Sequence, residues 1–124
     1  MVSWALWLLS AALVIGVVMG LRFAGGGRLP SRAIGAVHGL LGVSGLAVLI
    51  FAFVNGVAAN DKYGAASFGP ASAALAVLAV LAGAGIAVLG RSSTRGVGLL
   101  IAIHASLAVT AYVLLLAYDL LALT

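Results

Sequence analysis

Four long apolar runs, separated by short polar segments, make up almost the whole of this 124-residue chain. They lie near residues 3–21, 33–54, 70–90 and 97–118. Each run is close to the length of about 20 residues that a helix needs to cross roughly 30 Å of hydrocarbon. The pattern predicts an all-α fold: an integral membrane four-helix bundle that forms a single transmembrane domain over residues 1–124.

The composition agrees with this prediction and narrows the chemistry. Hydrophobic residues make up 65% of the chain and charged residues only 6%, and the mean hydropathy is +1.35, unlike a soluble domain. The first run lacks the basic start of a cleaved signal, so we expect it to remain as a transmembrane helix. Cysteine is absent, which excludes thiolate-ligated metals, iron–sulfur clusters and covalent c-type haem.

The arginines flank the first and third connections between spans, whereas the second connection carries only Lys62, next to Asp61. By the positive-inside rule the arginine-bearing connections face the cytoplasm, which places both termini on the outer side. We expect a bacterial inner membrane as the location and the lipid bilayer as the main partner. The arginines do not form a clustered basic face, so nucleic acid is not an expected partner. These arginines are Arg22, Arg28, Arg32, Arg91 and Arg95.

Two histidines, His38 and His104, head similar stretches of sequence in the second and fourth spans. Small residues match at offsets one, four and seven, Leu at three, Val at five, a hydroxyl at six and Leu again at eleven. Offsets of four, seven and eleven share a helix face with the starting residue, so each histidine heads a stripe of small residues. The match predicts that the bundle is built from two tandem helix-pair repeats.

The first and third spans carry small residues at four-residue spacing and no ionisable residue at membrane depth. Such positions let helices pack closely in lipid, and we expect these two spans to support the histidine-bearing ones. The residues are Ala12, Gly16 and Gly20 in the first span and Ala79, Gly83 and Ala87 in the third.

Aromatic residues cluster near the predicted outer boundary, where amphipathic rings usually anchor a protein at the membrane interface. We expect this anchoring role for Trp4, Trp7, Tyr63, Phe68 and Tyr118.

The two histidines are expected to lie at similar depth. His38 follows Arg32 by six residues and His104 follows Arg95 by nine, which is about 9 and 13 Å of helix. An ionisable side chain inside a membrane is costly and marks a functional site by default. Zinc or copper would need three or four ligands, which this chain does not supply. Haem iron needs only two axial ligands, and two imidazoles can provide them.

A haem b between the second and fourth spans would be ligated by His38 and His104. Its faces would lie against the small residues of the two stripes, and its propionates would point to the cytoplasmic arginines, because buried carboxylates need partners. We expect each imidazole N–H to donate to a carbonyl one turn back on its own helix. The expected cofactor-contacting residues are Gly35, Gly42, Gly45, Ala108, Ala111, Arg32 and Arg95.

This four-span layout, with His38 and His104 in glycine- and alanine-rich surroundings, resembles the small bis-histidine membrane cytochromes b. That group includes cytochrome b561 and the membrane anchors of some dehydrogenases. The resemblance implies an electron carrier that exchanges electrons with quinone or a redox partner protein. Two histidines in place of four imply a one-haem form, and a homo-oligomer is compatible with the pattern.

Other functions fit the same residues. The histidines could instead be polar ties between helices, donating to a carbonyl or to Ser44 or Thr110, in a cofactor-free transporter or scaffold subunit. A haem carrier with reversible binding is a further alternative. No nucleophile with a base or phosphate-cradling loop is present, so an electron carrier is favoured over a stand-alone enzyme.

Overall fold

The computed structural model of the chain describes residues 1–26, 29–56, 63–90 and 94–122, and these residues form helices without strands. The helices are α1 (Val2–Gly26), α2 (Arg32–Val54), α3 (Phe68–Leu89) and α4 (Thr94–Ala122), with one 3₁₀ turn at Ala65–Ser67 before α3. All four are long and apolar enough to cross a membrane. The predicted four-helix membrane bundle is therefore confirmed, although α1 and α4 extend several residues beyond the predicted spans.

Each helix packs against its two neighbours along the chain or around the bundle. The most extensive packing is between α1 and α2 and between α3 and α4, and smaller interfaces join α1 to α4 and α2 to α3. The two histidine-bearing helices, α2 and α4, therefore lie diagonally opposite each other. Their side chains can meet only across the centre of the bundle.

Local signals explain where α2 begins. Pro30 cannot continue a helix from the preceding segment in the usual way because it lacks a backbone N–H. The hydroxyl oxygen of Ser31 accepts a hydrogen bond from the backbone N–H of Ile34 at 3.4 Å. Ser31 is thus the N-cap that its position before the second span predicts.

We call the end of the bundle that holds Arg22 and Arg32 the arginine end. α1 and α3 finish at this end, and α2 and α4 begin there. The hydrophobic core of the described residues lies toward the opposite end. Its larger cluster comprises Val2, Ala5, Leu49, Ala52, Ala65, Leu115 and Tyr118, and a smaller one joins Leu46, Ala76 and Ala111.

One aromatic residue does not anchor the chain at the interface as predicted. Tyr118 is only 2% exposed and packs edge to face against Phe53, with ring centroids 5.5 Å apart. Gly69 lies beside both rings. In contrast, Trp4 and Trp7 are 71% and 73% exposed, as an anchoring role requires. Tyr118 is therefore part of the core because its side of α4 faces α2 and α3.

Candidate functional site

The imidazoles of His38 and His104 meet in the interior of the bundle. Their ring centroids are 5.8 Å apart and their planes are inclined at 79°, which is an edge-to-face arrangement. Both residues are half-buried. Two residues that are 66 positions apart in the sequence are thus brought into contact by two helices that do not otherwise adjoin.

Each imidazole is fixed by a backbone carbonyl of the preceding helix. The Nδ1 atom of His38 lies 2.9 Å from the carbonyl oxygen of Ala12 in α1, and Nδ1 of His104 lies 2.7 Å from that of Ala79 in α3. The prediction that the acceptor would be one turn back on the same helix is wrong. The neighbouring helix supplies it, because the rings point into the bundle and away from their own backbones.

These contacts decide which ring nitrogen carries hydrogen. A carbonyl oxygen only accepts hydrogen bonds, so Nδ1 must be the donor in both rings. In the neutral imidazole this leaves the lone pair on Nε2. A fixed Nδ1–H and a free Nε2 form the arrangement in which histidines ordinarily ligate a metal, with the outer hydrogen bond holding the ring in orientation.

A glycine lets each ring approach its acceptor. A Cβ atom on Gly16 would lie 2.9 Å from Cε1 of His38, and one on Gly83 would lie 3.1 Å from Cε1 of His104. Each glycine is four residues after the acceptor carbonyl, and helix carbonyls point toward the residue four positions on. A side chain at either position would crowd the imidazole and force it to shift away from that carbonyl.

The two helix pairs therefore hold their histidines through the same kinds of residue at the same spacing. An alanine supplies the acceptor, and a glycine one turn later supplies the space. The spacing of these small residues predicts general helix packing, whereas the structure places them against the histidines. Their equivalent placement in the first and third spans was a signal that they serve the histidines directly.

The three glycines that were predicted to contact a cofactor differ in the space around them. A Cβ added to Gly35 or Gly42 would meet no atom within 4 Å, apart from its own helix backbone and chain neighbours. Gly45 is different, because a Cβ there would come within 2.9 Å of the side chain of Leu9 in α1. The space around α2 is thus open on the arginine side of Gly45 and filled by α1 at Gly45.

The two alanines of α4 that were predicted to contact a cofactor differ in their burial. Ala108, one turn after His104, is half-buried, whereas Ala111 is 4% exposed and belongs to the smaller core cluster. The carbonyl of Ala111 also accepts a 2.7 Å hydrogen bond from the buried hydroxyl of Ser72. Ala111 is therefore part of the packed region of the bundle.

Of the two arginines predicted near the site, Arg32 is exposed at the start of α2. The backbone of Arg95 is in the first turn of α4, and its side chain lies outside the described part of the structure. Ser44 and Thr110, the hydroxyl residues named as alternative partners of the histidines, are both exposed on the outer surface. They do not face the imidazoles.

The donor set at this site consists of two imidazole Nε2 atoms. Within the described ranges, no group of three or more His, Cys, Asp or Glu side chains is placed to hold a metal ion. Such a pair suits a metal that takes its remaining ligands from elsewhere, as haem iron does from its porphyrin. Without a metal, the same residues form a hydrogen bond within each helix pair and a ring contact between the two pairs.

Comparisons with known proteins do not add a family to this description. No family model matches the chain, and neither a curated protein nor a solved structure matches it.

Proposed function

We propose that this protein is a membrane electron carrier that binds one haem b between α2 and α4, with His38 and His104 as the axial ligands. The observation that carries the proposal is the meeting of the two rings in the interior, each with Nδ1 fixed by a backbone carbonyl. The equivalent arrangement in the two helix pairs further supports an origin of the bundle as a tandem repeat.

The meeting of the two rings supports a shared cofactor. Their centroids are 5.8 Å apart in the bundle interior, so one group between α2 and α4 could be held by both residues. The observed edge-to-face arrangement presents the face of one ring to the other, so binding a common iron would require at least one imidazole to turn.

The distribution of packed and open regions supports a cofactor on the arginine side of the histidines. Both buried hydrophobic clusters lie on the other side, while a Cβ added to Gly35, three residues before His38, would meet no atom within 4 Å outside its local backbone. Arg32 is exposed at the arginine end, where propionates would need a cationic partner. Arg95 begins α4 at the same end.

When bound, haem supplies reversible one-electron transfer between ferrous and ferric iron. His38 and His104 would hold the iron, the carbonyls of Ala12 and Ala79 orient their imidazoles, and the apolar helices keep water away. We propose that the electrons come from and go to a membrane quinone or a partner protein.

A second candidate function has its own support. The hydrogen bonds from His38 to α1 and from His104 to α3 are interhelical ties of the kind that stabilise membrane bundles. On this alternative the protein is a cofactor-free transporter or scaffold subunit, and the ring contact stabilises the bundle.

Absorption spectra of the protein purified from haem-sufficient cells distinguish the two candidates. We expect a Soret band, sharp α and β bands on reduction, and one haem per chain. His38→Ala and His104→Ala should each lose the low-spin spectrum. Ser44→Ala and Thr110→Val provide matched controls, because these polar residues stand six positions after each histidine and face outward.

Further measurements distinguish loss of the ligand from poor folding of an alanine variant. Size-exclusion chromatography and far-ultraviolet circular dichroism report the fold, and added imidazole should restore the low-spin spectrum to His38→Gly or His104→Gly. A colourless preparation that stays colourless after haem is added contradicts the electron-carrier proposal and supports the tie. An unchanged spectrum in either alanine variant excludes that histidine as a ligand.

A further inference from the structure

A groove runs along the surface of the bundle between α1 and the beginning of α2, on the arginine side. Its volume is about 600 Å³. Val14, Val18 and Met19 form the wall on α1, and Ile34 contributes from α2. Arg22 and Ser31 lie at the end of the groove nearest the arginine end. The groove is thus apolar along its length and polar at one end.

The groove opens toward the surrounding membrane. Val14 and Val18 are 64% and 47% exposed, and Ile34 is 41% exposed. From Val14 to Arg22 the wall covers eight residues of helix, or about 12 Å. This is close to the depth of one hydrocarbon leaflet, which is about half of a 30 Å core. The dimensions fit part of a lipid acyl chain.

Arg22 gives the groove a preference for a negatively charged ligand. The only acidic residues of the chain are Asp61, which lies in the sequence between α2 and α3, and Asp119, near the far end of α4. α1 finishes at the arginine end, whereas α2 and α4 finish at the opposite end. Among the described residues the acidic side chain is that of Asp119, which is therefore not placed to neutralise Arg22, and a lipid phosphate is the natural counter-ion at this level.

We propose that this groove binds one anionic phospholipid. Its acyl chain lies along the wall from Val14 to Met19, and its phosphate accepts hydrogen bonds from the guanidinium of Arg22. Ser31 contributes a second donor, because its oxygen accepts from Ile34 while its own hydrogen remains available to donate. The proposal is independent of haem, since the groove is lined neither by the two histidines nor by the residues that contact their rings.

Native mass spectrometry of the full chain, delipidated in detergent and then given equal amounts of phosphatidylglycerol and phosphatidylcholine, tests the proposal. We expect wild type to retain phosphatidylglycerol about fivefold better than phosphatidylcholine, the effect of one arginine near a membrane surface. Arg22→Gln should bring the two lipids to near equality. Arg32→Gln is the matched control, because Arg32 is exposed at the same end but does not line the groove.

A second variant tests the acyl-chain part of the site. Val18→Trp fills the groove from its exposed side and should lower retention of both lipids while Arg22 stays in place. The proposal is wrong if wild type retains the two lipids equally, or if Arg32→Gln reduces the preference as much as Arg22→Gln. It is also wrong if glycerol 3-phosphate displaces phosphatidylglycerol, because an acyl chain would then play no part.

Discussion

Gly16 of α1 lies directly against the imidazole of His38, and a methyl group at this position would stand 2.9 Å from the ring's Cε1. The ring cannot retreat without lengthening its hydrogen bond to Ala12. We therefore expect Gly16→Ala to destabilise the bundle by about 1–3 kcal/mol, the usual cost of overpacking. Gly83→Ala should cost less, since the corresponding distance to His104 is 3.1 Å.

The matched control is Gly20→Ala, one turn farther along α1. A Cβ there meets no atom within 4 Å outside its local backbone, and alanine is the better helix former by up to about 1 kcal/mol. Its melting temperature in detergent should equal or exceed that of wild type. Equal melting temperatures for Gly16→Ala and Gly20→Ala would contradict the predicted contact.

The contact between His38 and His104 should appear as an energetic coupling in cofactor-free protein. Edge-to-face ring pairs contribute about 0.5–1.5 kcal/mol beyond their burial. We expect the double variant His38→Ala/His104→Ala to lose less unfolding free energy than the sum of the single variants, by about that amount. Denaturant titration followed by circular dichroism measures all four proteins of this cycle.

Thr110→Val serves as the comparison for this cycle, because Thr110 is exposed on α4. Combined with His38→Ala, it should give additive losses within about 0.5 kcal/mol. Additivity in the histidine cycle as well would mean that the two rings do not stabilise each other.

Ser10 and Tyr112 link α1 to α4 by a 2.7 Å hydrogen bond between their hydroxyl oxygens. Ser10 also donates its only hydroxyl hydrogen to the carbonyl of Leu6 at 2.7 Å, so Tyr112 must be the donor of the interhelical bond. Ser10→Ala and Tyr112→Phe should each cost about 0.6 kcal/mol, typical of such bonds in membranes. The double variant should be no less stable than either single one, and a fully additive loss would rule the bond out.

Gly69 fits between two aromatic rings at the opposite end of the bundle from the arginines. A Cβ there would lie 2.7 Å from Cζ of Phe53 and 3.0 Å from Cδ2 of Tyr118. Gly69→Ala should lower the unfolding free energy by about 1–3 kcal/mol. Phe53→Leu should reduce that penalty by freeing space, whereas Gly85→Ala on the same helix should carry none.

The sequence predicted the bundle well because membrane spans are set by the length of apolar runs, and length is read directly from the chain. It also identified the two histidines that meet in the interior. Their similar depth was predictable, since α2 and α4 begin at the same end, but their meeting also required both side chains to point inward.

The hydrogen-bond acceptors of the histidines were not predicted. Hydrophobic pattern determines which residues lie within the membrane, but every backbone carbonyl looks alike in sequence. Selecting Ala12 and Ala79 requires knowing the relative height and rotation of neighbouring helices. The four-residue spacing to Gly16 and Gly83 was the available indication, and the abundance of small residues in this chain concealed it.

The burial of Tyr118 in the core was not predicted either. Its depth near the end of α4 suggested an interfacial anchor, yet its direction around the helix decides its environment. Ala111, Leu115 and Tyr118 are spaced by four and three residues, which places them on one face, and all three are buried. Angular position should therefore be weighed before depth when an aromatic residue lies near the end of a span.

Main-chain acceptors make the orientation of both histidines unusually tolerant of change in sequence. Any residue at positions 12 and 79 carries the same carbonyl oxygen, so mutation of those side chains cannot delete the acceptor as it could delete a serine or an asparagine. Each helix pair requires instead that the residue one turn after the acceptor carbonyl has no side chain that would block the imidazole. Substitution should therefore be tolerated less well at the two glycines than at the alanines whose oxygens receive the bonds.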